Sequence, residues 1–296
     1  SASVVLEART ADYGDTSLCL VYPSVDTMPQ VGPVTEGEDL YWRLLVGQQV
    51  LPVQRGGGVF DQNYLDYYSL RAVDALEVGK NAFSCTAVWQ NAPLWYTSGG
   101  AVSGVLSSLN ISASLMESRV TSAASTASGS GASGGAALTV PPLLPQAVDG
   151  KLPDATAPGA QNVRICFDEA NATGFAYDEA RGQYAMLHAD GTPQLDAGSG
   201  RQAAFDNLLV LFSGSTLRDD GHTYDYDLTM GGGVWLNGGH LWYLTWTQGS
   251  DSTFRLYDAD GRLLTLEAGT SYIALVSSVT GQELTVTNAA GENLIQ

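Results

Sequence analysis

Apolar and polar residues alternate with a period of two along most of the chain after residue 160. Short runs follow one another, and turn sequences rich in Gly, Asp, Asn and Pro separate them. This period is typical of β-strands, and short turns between successive runs indicate hairpins. The runs lie at 163–168, 173–179, 182–188, 207–213, 223–230, 233–239, 240–248, 253–258, 263–268 and 271–278. The pattern predicts an antiparallel β-rich C-terminal half, folded as a sheet or sandwich.

The first 120 residues combine this period with the period of an α-helix. Leu40, Leu44 and Leu45 recur at the spacing of one helix face. Asp61 stands where it can cap the first turn of another helix. The predicted strands are 4–8 and 17–22, and the predicted helices lie within 36–51, 61–70 and 101–109. We therefore expect an α+β protein.

A Ser/Ala/Gly tract at 121–137 interrupts both patterns, and Pro-rich sequence follows it. Such a tract buries too little apolar surface to offset the conformational entropy of a fixed fold. We predict an α/β N-terminal domain at 1–120 and an antiparallel β domain at 161–296. The segment 121–160 between them is either a linker or a long surface insertion.

The net charge restricts the partners that this chain can bind. Asp and Glu number 31 against 13 Lys and Arg, which gives a net charge of −18. Nucleic-acid binding needs a basic surface, and anionic lipid headgroups would be repelled, so we exclude both. No apolar run is long enough to span a bilayer. Because the chain does not begin with Met, we expect that a signal peptide or an N-terminal lipid anchor has been removed from it.

The chain contains three cysteines, at positions 19, 85 and 166. They are widely spaced and odd in number, which fits neither a CxxC metal site nor a disulfide framework. Cys19 and Cys166 lie within apolar runs, so buried, unreactive thiols are one interpretation. One disulfide with one remaining thiol is the other.

The motifs that could carry catalysis or bind a metal are weak. The GxSxG match at 131–135 lies in the low-complexity tract, whereas a nucleophile elbow needs a strand before it and a helix after it. His188, His222 and His240 lack the close spacing of zinc ligands. The sequence Asp258-Ala259-Asp260-Gly261 is explained by a hairpin turn without calcium. We therefore predict no catalytic residue, no metal and no cofactor.

Two segments of the N-terminal half offer hints of binding. Arg55 precedes three glycines and a predicted helix, an arrangement that forms either an anion-binding nest or a plain strand-to-helix turn. Trp95 and Tyr96 stand in a predicted polar loop before Ser98. Exposed aromatic side chains in a loop favour binding, but a loop packed on the core is equally consistent.

An ordered series of residues through the C-terminal half matches a known family. It consists of Tyr184, Asp190-Gly191, Asp196, Asn207, Gly231 to Gly233, Trp246, Phe254, Asp260-Gly261, Leu266, Gly269 and Thr270. This series resembles the C-terminal domain of the YerB-like lipoprotein family, a domain of unknown function. The N-terminal half is similar to the family's other domain at 31–34, 52–58 and 92–98.

The departures from this family mostly remove basic or titratable groups. Thr16-Ser17, Thr35-Glu36-Gly37-Glu38, Arg55, Leu94-Trp95 and Thr247-Gln248 stand where the family has Thr-Arg, a basic segment, His, His-Asn and basic residues. A family site for an anionic ligand would therefore be poorly reproduced here. The resemblance implies a layered β/β/α sandwich. It also implies an extracytoplasmic, membrane-anchored lipoprotein of a Gram-positive-type bacterium, with no established reaction.

These observations favour a non-catalytic binding or interaction module of the bacterial cell envelope, for an unknown envelope ligand or protein. We expect the ligand to lie in a groove between the two halves, lined by Arg55, Trp95, Tyr96, Asp196 and Trp246. A cell-wall-acting hydrolase or transferase, whose site is assembled only in three dimensions, is the alternative. A purely structural envelope protein is a third interpretation.

Overall fold

The fold is a computed structural model that describes residues 2–48, 50–89, 92–111, 143–144, 157–249 and 254–295. The chain divides into two units. The first unit takes Ser24–Leu143, and the second takes Ala2–Pro23 together with Leu144–Gln296. The predicted boundary at residue 120 differs from this division, because the N-terminal hairpin pairs into a sheet of the second unit. Most of the predicted segment 121–160, including the GxSxG match, lies outside the described residues.

Within the described residues the chain forms nineteen strands and four α-helices. The strands are β1 Val4–Ala8, β2 Ser17–Val21, β3 Val31–Val34, β4 Val53–Gln54, β5 Val73–Asp74, β6 Ser84–Trp89, β7 Ala92–Thr97, β8 Asn162–Cys166, β9 Ala172–Asp178, β10 Gln183–Leu187, β11 Ala204–Phe205, β12 Asn207–Ser213, β13 Ser215–Leu217, β14 Tyr224–Tyr226, β15 Met230–Asn237, β16 His240–Gln248, β17 Phe254–Tyr257, β18 Ser271–Ser277 and β19 Glu283–Thr287. The helices are α1 Asp39–Leu45, α2 Val59–Tyr67, α3 Ala75–Val78 and α4 Gly99–Val105.

The second unit is a sandwich of two sheets. A seven-stranded sheet has the order β17-β16-β15-β12-β18-β1-β2, and a five-stranded sheet has the order β11-β10-β9-β8-β19. Alternate residues of both sheets meet in one apolar core, which includes Val5, Phe175, Val210, Val234 and Tyr272. The period of two in the sequence places these residues on the inner faces.

The seven-stranded sheet is mixed rather than purely antiparallel. Strand β18 runs parallel to β1 on one side and to β12 on the other. Both β12 and β18 are almost entirely buried, and their sequences are nearly continuous apolar runs. Parallel strands are typically covered on both faces, which explains this composition. The prediction of a β-rich C-terminal half is confirmed, but its antiparallel character holds only for the remaining pairs.

Three strands, β10, β17 and β19, end in the same kind of tight loop. Gly191, Gly261 and Gly291 adopt positive φ values of 83°, 75° and 82°, which glycine adopts without strain. After each of these loops the chain returns along the strand it has just left, since Gln194 N donates to Met186 O, Leu264 N to Leu256 O and Leu294 N to Val286 O. The Asp258–Gly261 turn is therefore a hairpin loop. The predicted strand at 263–268 is instead a return segment.

The first unit contains all four helices and two small sheets. Strands β3, β7 and β6 form an antiparallel sheet in that order, and β4 pairs in parallel with β5. The apolar core includes Val73, Phe83, Val102 and Leu109. Helix α2 begins two residues before the predicted start, so Gly58 is its N-cap residue and Asp61 lies in its first turn.

Together these elements confirm the predicted fold class, a mixed α+β sandwich. The helices come from the segments in which apolar residues recur at helical spacing, and the two-sheet sandwich comes from the segments with a period of two. No helix among the described residues is both long and apolar enough to cross a membrane.

Candidate functional site

The turn that carries Arg55 is held by backbone and carboxylate contacts within the first unit. Arg55 N donates to Thr35 O at 2.9 Å, and Gly37 N donates to Gly56 O at 2.8 Å. Gly56 N donates to Asp74 Oδ1 at 2.8 Å, and the same oxygen accepts from Leu76 N. A carboxylate of the chain therefore already occupies an amide of the glycine-rich turn. This favours the interpretation as a strand-to-helix turn over an anion-binding nest.

The Arg55 side chain itself is half-buried. Its Nε atom is buried and has no hydrogen-bond partner among the described residues. Burial of an unpaired donor costs about 1–3 kcal/mol. The Nε atom of Arg55 therefore remains an unsatisfied donor in the part of the chain that the structure describes.

Behind this turn lies a buried carboxylate, Asp61, whose side chain is 2% exposed. Trp42 Nε1 donates to its Oδ1 and Gln54 Nε2 donates to its Oδ2, the latter at 2.9 Å. Gly37 and Gly57 leave room for it, since a Cβ on Gly57 would lie 1.9 Å from Asp61 Oδ2. Asp61 therefore joins α1, β4 and α2 at one point.

The surroundings of Asp61 disfavour its charge. Burial raises the pKa of this carboxyl, and the charges of Asp39 and Asp74 add to the rise. The hydrogen bonds from Trp42 and Gln54 act in the opposite direction. A carboxyl with a raised pKa is the kind of group that general acid–base catalysis uses. Its near-complete burial, however, keeps it from a substrate in solution.

Trp95 and Tyr96 lie in β7, the central strand of the three-stranded sheet, so the predicted loop is wrong. Trp95 pairs with Val34 of β3 and with Cys85 of β6. Its ring packs against the core of the first unit. The apolar character of 92–97 is explained by pairing on both sides of this strand rather than by a binding loop.

Asp196 and Trp246 belong to the second unit and have internal partners there. Asp196 Oδ1 accepts from Ser199 N at 2.7 Å, and hydrogen bonds from Ser199 lower its pKa. Trp246 is 1% exposed, stacks on Phe254 at 5.4 Å, and donates its indole N–H to Gly232 O. Asp196 thus caps its own turn, and Trp246 is a core residue rather than a lining residue.

A second buried carboxylate, Glu7 on β1, lies between the two sheets of the second unit. It accepts hydrogen bonds from three hydroxyl groups: Thr16 Oγ1 at 2.6 Å, Thr173 Oγ1 at 2.9 Å and Tyr272 Oη. Thr173 belongs to the five-stranded sheet and Tyr272 to the seven-stranded one. Burial raises the pKa of Glu7. Sequence analysis missed this residue, because a single Glu in an apolar strand gives no signal of its partners.

The histidines and cysteines form no site among the described residues. His222 Nδ1 lies 3.3 Å from Asp12 Oδ1, and His240 Nδ1 lies 2.9 Å from Ala157 O. Within the described ranges no three His, Cys, Asp or Glu side chains are grouped so as to hold a metal ion. No disulfide joins the cysteines, and burial raises the pKa of the Cys19 thiol to about 12. Cys19 and Cys166, the two cysteines within apolar runs, are partly buried, and Cys85 is exposed.

Three tyrosines at the C-terminal end of α2 form an exposed aromatic cluster. Tyr67 is 81% exposed and Tyr68 is 48% exposed. The rings of Tyr64 and Tyr68 lie 4.6 Å apart, and those of Tyr67 and Tyr68 lie 4.9 Å apart with an edge-to-face geometry. We call these three residues the tyrosine cluster. The spacing Tyr-x-x-Tyr-Tyr on a helix was the sequence signal that could have revealed it.

Comparison with known proteins agrees with this architecture. Residues 163–273 match the family model described as "Protein of unknown function (DUF3048) C-terminal domain". The crystal structure of YerB protein from Bacillus subtilis matches with a TM-score of 0.73 and 19% sequence identity, covering 96% of this chain and 86% of that chain. Over residues 163–273 the chain is therefore similar to the DUF3048 family, and its fold is similar to that of YerB. The resemblance predicted from the sequence is confirmed, and no curated protein matches the chain.

Several positions at which this chain departs from the YerB-like pattern lie in the first unit. The segment that replaces the family's basic residues, Thr35–Glu38, lies beside the Arg55 turn through the two backbone hydrogen bonds described above. Val34, directly before it, pairs with Trp95. Three departures from the YerB-like pattern therefore meet in one region of the first unit. The other two, at Ser17 and Gln248, lie in the second unit.

Proposed function

We propose that this protein is a non-catalytic binding or interaction module of the bacterial cell envelope, and that the tyrosine cluster on α2 is its binding surface. The exposure of Tyr67 and Tyr68 is the observation that supports this proposal. Tyrosine combines a rigid apolar ring with a polar hydroxyl group, so it is enriched at binding surfaces and among their energetic hot spots.

The cluster is already assembled before a ligand arrives. Tyr68 contacts both Tyr64 and Tyr67, which restricts the rings and reduces the conformational entropy that binding would otherwise cost. Burial of an aromatic side chain that is exposed in the free protein contributes on the order of 1–3 kcal/mol. Two such rings supply enough free energy for a selective, weak-to-moderate interaction.

Charge narrows the class of ligand. Asp66 lies between the tyrosines on α2 and is exposed, and the whole chain carries −18. The ring faces carry partial negative charge and attract cations. These features favour neutral sugars and amine-bearing peptides of the cell wall over anionic polymers.

The proposal of a non-catalytic role is supported by the burial of the two carboxyl groups with raised pKa values. Glu7 is 4% exposed and Asp61 is 2% exposed. Both carboxyl groups accept hydrogen bonds from side chains of the protein itself, so neither has an oxygen that is open to a substrate. This arrangement supports a binding role over that of a hydrolase or transferase.

The proposed location, outside the cytoplasm and attached by a lipid anchor, follows from the family resemblance. Fractionation of producing cells, with the anchor removed by a lipase in a parallel sample, tests it. Protein that leaves the membrane fraction only after lipase treatment agrees with the proposal. Protein found in the cytosol contradicts it.

Binding is tested with muropeptides, chitin oligomers and Lys-containing wall peptides, by calorimetry on the full chain. We expect the double variant Tyr67→Ala/Tyr68→Ala to lose at least tenfold in affinity, about 1.4 kcal/mol, for the ligand that binds. Tyr13→Ala is the matched control, since Tyr13 is 67% exposed in the second unit. Binding to none of these probes, or an equal loss in the control, would contradict the proposal.

A further inference from the structure

Strand β2 is an outer strand of the seven-stranded sheet and carries two exposed leucines. Leu18 is 53% exposed and Leu20 is 45% exposed. Strand β2 pairs with β1, and no other strand or isolated bridge of the described residues pairs with its outer side. An outer strand presents unpaired backbone N–H and C=O groups that can pair with another chain.

The two leucines extend the inner apolar face of the sandwich beyond its covered part. Directly paired residues of an antiparallel ladder point to the same face of the sheet. Leu18 pairs with Glu7 and Leu20 pairs with Val5. Glu7 contacts Thr173 of the five-stranded sheet, and Val5 belongs to the core between the sheets. Leu18 and Leu20 therefore point to the same side but lie past the edge of the covering sheet.

Among the described residues, the other outer strands of the two sheets are protected, whereas nothing protects the outer side of β2. The return segments donate Leu264 N to Leu256 O of β17 and Leu294 N to Val286 O of β19. Strand β11, the fourth outer strand, has only two residues. The sequence of β2, SLCLV, contains no charged residue, no Pro and no Gly, which are the usual means of preventing edge-to-edge pairing.

The charge around β2 indicates the chemistry of what would pair with it. Residues 10–42 contain no Lys or Arg, and exposed Asp12 and Asp15 precede the strand. Two copies of this chain would repel each other, since each carries −18. A basic partner is attracted by the same field.

We propose that β2 is a strand-addition site for an extended segment of a partner protein, in which apolar and polar residues alternate and Lys or Arg flank the apolar positions. Backbone hydrogen bonds to β2 would supply affinity, and apolar side chains over Leu18 and Leu20 would supply specificity. This surface lies in the second unit and is independent of the tyrosine cluster, so the failure of either proposal leaves the other intact.

The test uses hydrogen exchange of the full chain with two synthetic peptides as probes. One is Lys-Val-Thr-Val-Thr-Val-Lys, with blocked ends, and the other has Pro in place of the central Val. We expect the first peptide to slow exchange at 17–21 at least fivefold and the second to have no effect, because Pro cannot donate to the ladder. The variant Leu18→Thr/Leu20→Thr, which keeps strand propensity, should lose at least tenfold in affinity for the first peptide.

Leu217→Thr serves as the matched control, since Leu217 is a 49% exposed leucine on β13 of the same unit. Its affinity for the first peptide should equal that of the parent. The proposal is overturned if 17–21 show no slowing at saturating peptide, or if the Pro-containing peptide protects equally. It is also overturned if protection of 17–21 depends on protein concentration alone and light scattering shows a dimer, because the occupant is then a second copy.

Discussion

Glu7 and Asp61 are both buried carboxyl groups, but the kinds of group that surround them differ. Glu7 is held by three hydroxyl groups, and Asp61 by an indole N–H and the carboxamide N–H₂ groups of Gln54 and Gln62. A hydroxyl group can donate or accept, whereas the indole can only donate. Asp61 also lies near two other carboxylates and touches two glycines.

Equal burial of the two carboxyl groups therefore does not imply equal tolerance of substitution. The hydroxyl groups around Glu7 can reorient to serve a neutral carboxyl or a carboxamide. Around Asp61 only the two glutamines among its described partners can do so, by rotating their amide groups. These are Gln54, whose Oε1 is buried and has no partner among the described residues, and Gln62, whose Nε2 lies 3.4 Å from Asp61 Oδ2. The site of Glu7 is therefore adaptable in hydrogen bonding, and that of Asp61 is constrained in both hydrogen bonding and shape.

Removal of the Glu7 side chain has the largest expected effect. Glu7→Ala leaves three buried hydroxyl groups without an acceptor and opens a cavity, so we expect the free energy of unfolding to fall by about 3–5 kcal/mol. Glu7→Gln keeps an acceptor and should cost about 1 kcal/mol or less. Urea unfolding followed by tryptophan fluorescence measures both, and equal losses would show that the hydroxyl groups do not adapt.

The shape constraint at Asp61 is tested at the adjacent glycines. Gly57→Ala places a Cβ 1.9 Å from Asp61 Oδ2. We expect a loss of about 2–3 kcal/mol in the free energy of unfolding. Gly58→Ala is the control, because nothing lies within 4 Å of its added Cβ and its φ is −67°. Because Ala is a poorer N-cap residue than Gly, that change should still cost about 0.5–1 kcal/mol; a cost as large as that of Gly57→Ala would contradict this packing.

The hydrogen bond that the Trp42 indole donates to Asp61 is tested with tryptophan variants. Trp42→Phe removes the N–H that donates to Asp61, while Trp242→Phe removes an N–H without a partner among the described residues. Both changes remove similar ring area. We expect Trp42→Phe to cost about 1 kcal/mol more than Trp242→Phe in the free energy of unfolding. Equal costs in thermal and urea unfolding would argue against this hydrogen bond.

The smallest expected effect is a change in how steeply the free energy of unfolding varies with pH. Burial raises the pKa of Glu7 and of Asp61 above their ordinary values of 4.5 and 3.8. Their contribution to stability is therefore fully present below those values and is lost as pH rises through the folded-state pKa. As pH rises above these ordinary values, the free energies of unfolding of Asp61→Asn and of Glu7→Gln should therefore increase relative to that of the parent, whatever constant cost each substitution carries.

Asp220 supplies the control of opposite sign. Hydrogen bonds from Thr223 and His222 lower its pKa to about 2. Its contribution is present above the ordinary value of 3.8 and is lost as pH falls through about 2, so Asp220→Asn should lose stability relative to the parent as pH rises through that window. Unfolding curves at several pH values distinguish the two signs.

Sequence patterns located the elements of the second unit well, because alternation and turn residues are local signals. The runs at 207–213 and 271–278 became β12 and β18, and the Asp-Gly turn at 260–261 formed as predicted. The surroundings of the predicted site residues could not be located in this way. Trp246 became a core residue and Trp95 part of a central strand, because an aromatic side chain carries no local mark of the face that it will occupy.

Three features can be derived from the sequence alone: the strand and helix segments, the acidic charge from which we predict that nucleic acid is not bound, and the family resemblance. Each depends on composition, on residues close together or on residues in a fixed order. The pairing of β1 with β18 and the contacts of Glu7 with Thr173 and Tyr272 could be read only from the tertiary structure, as could the uncovered outer side of β2 within the described residues. The pairing with β18 and the contacts of Glu7 join residues more than a hundred positions apart. Their partners are chosen by packing of whole sheets, which no local pattern records.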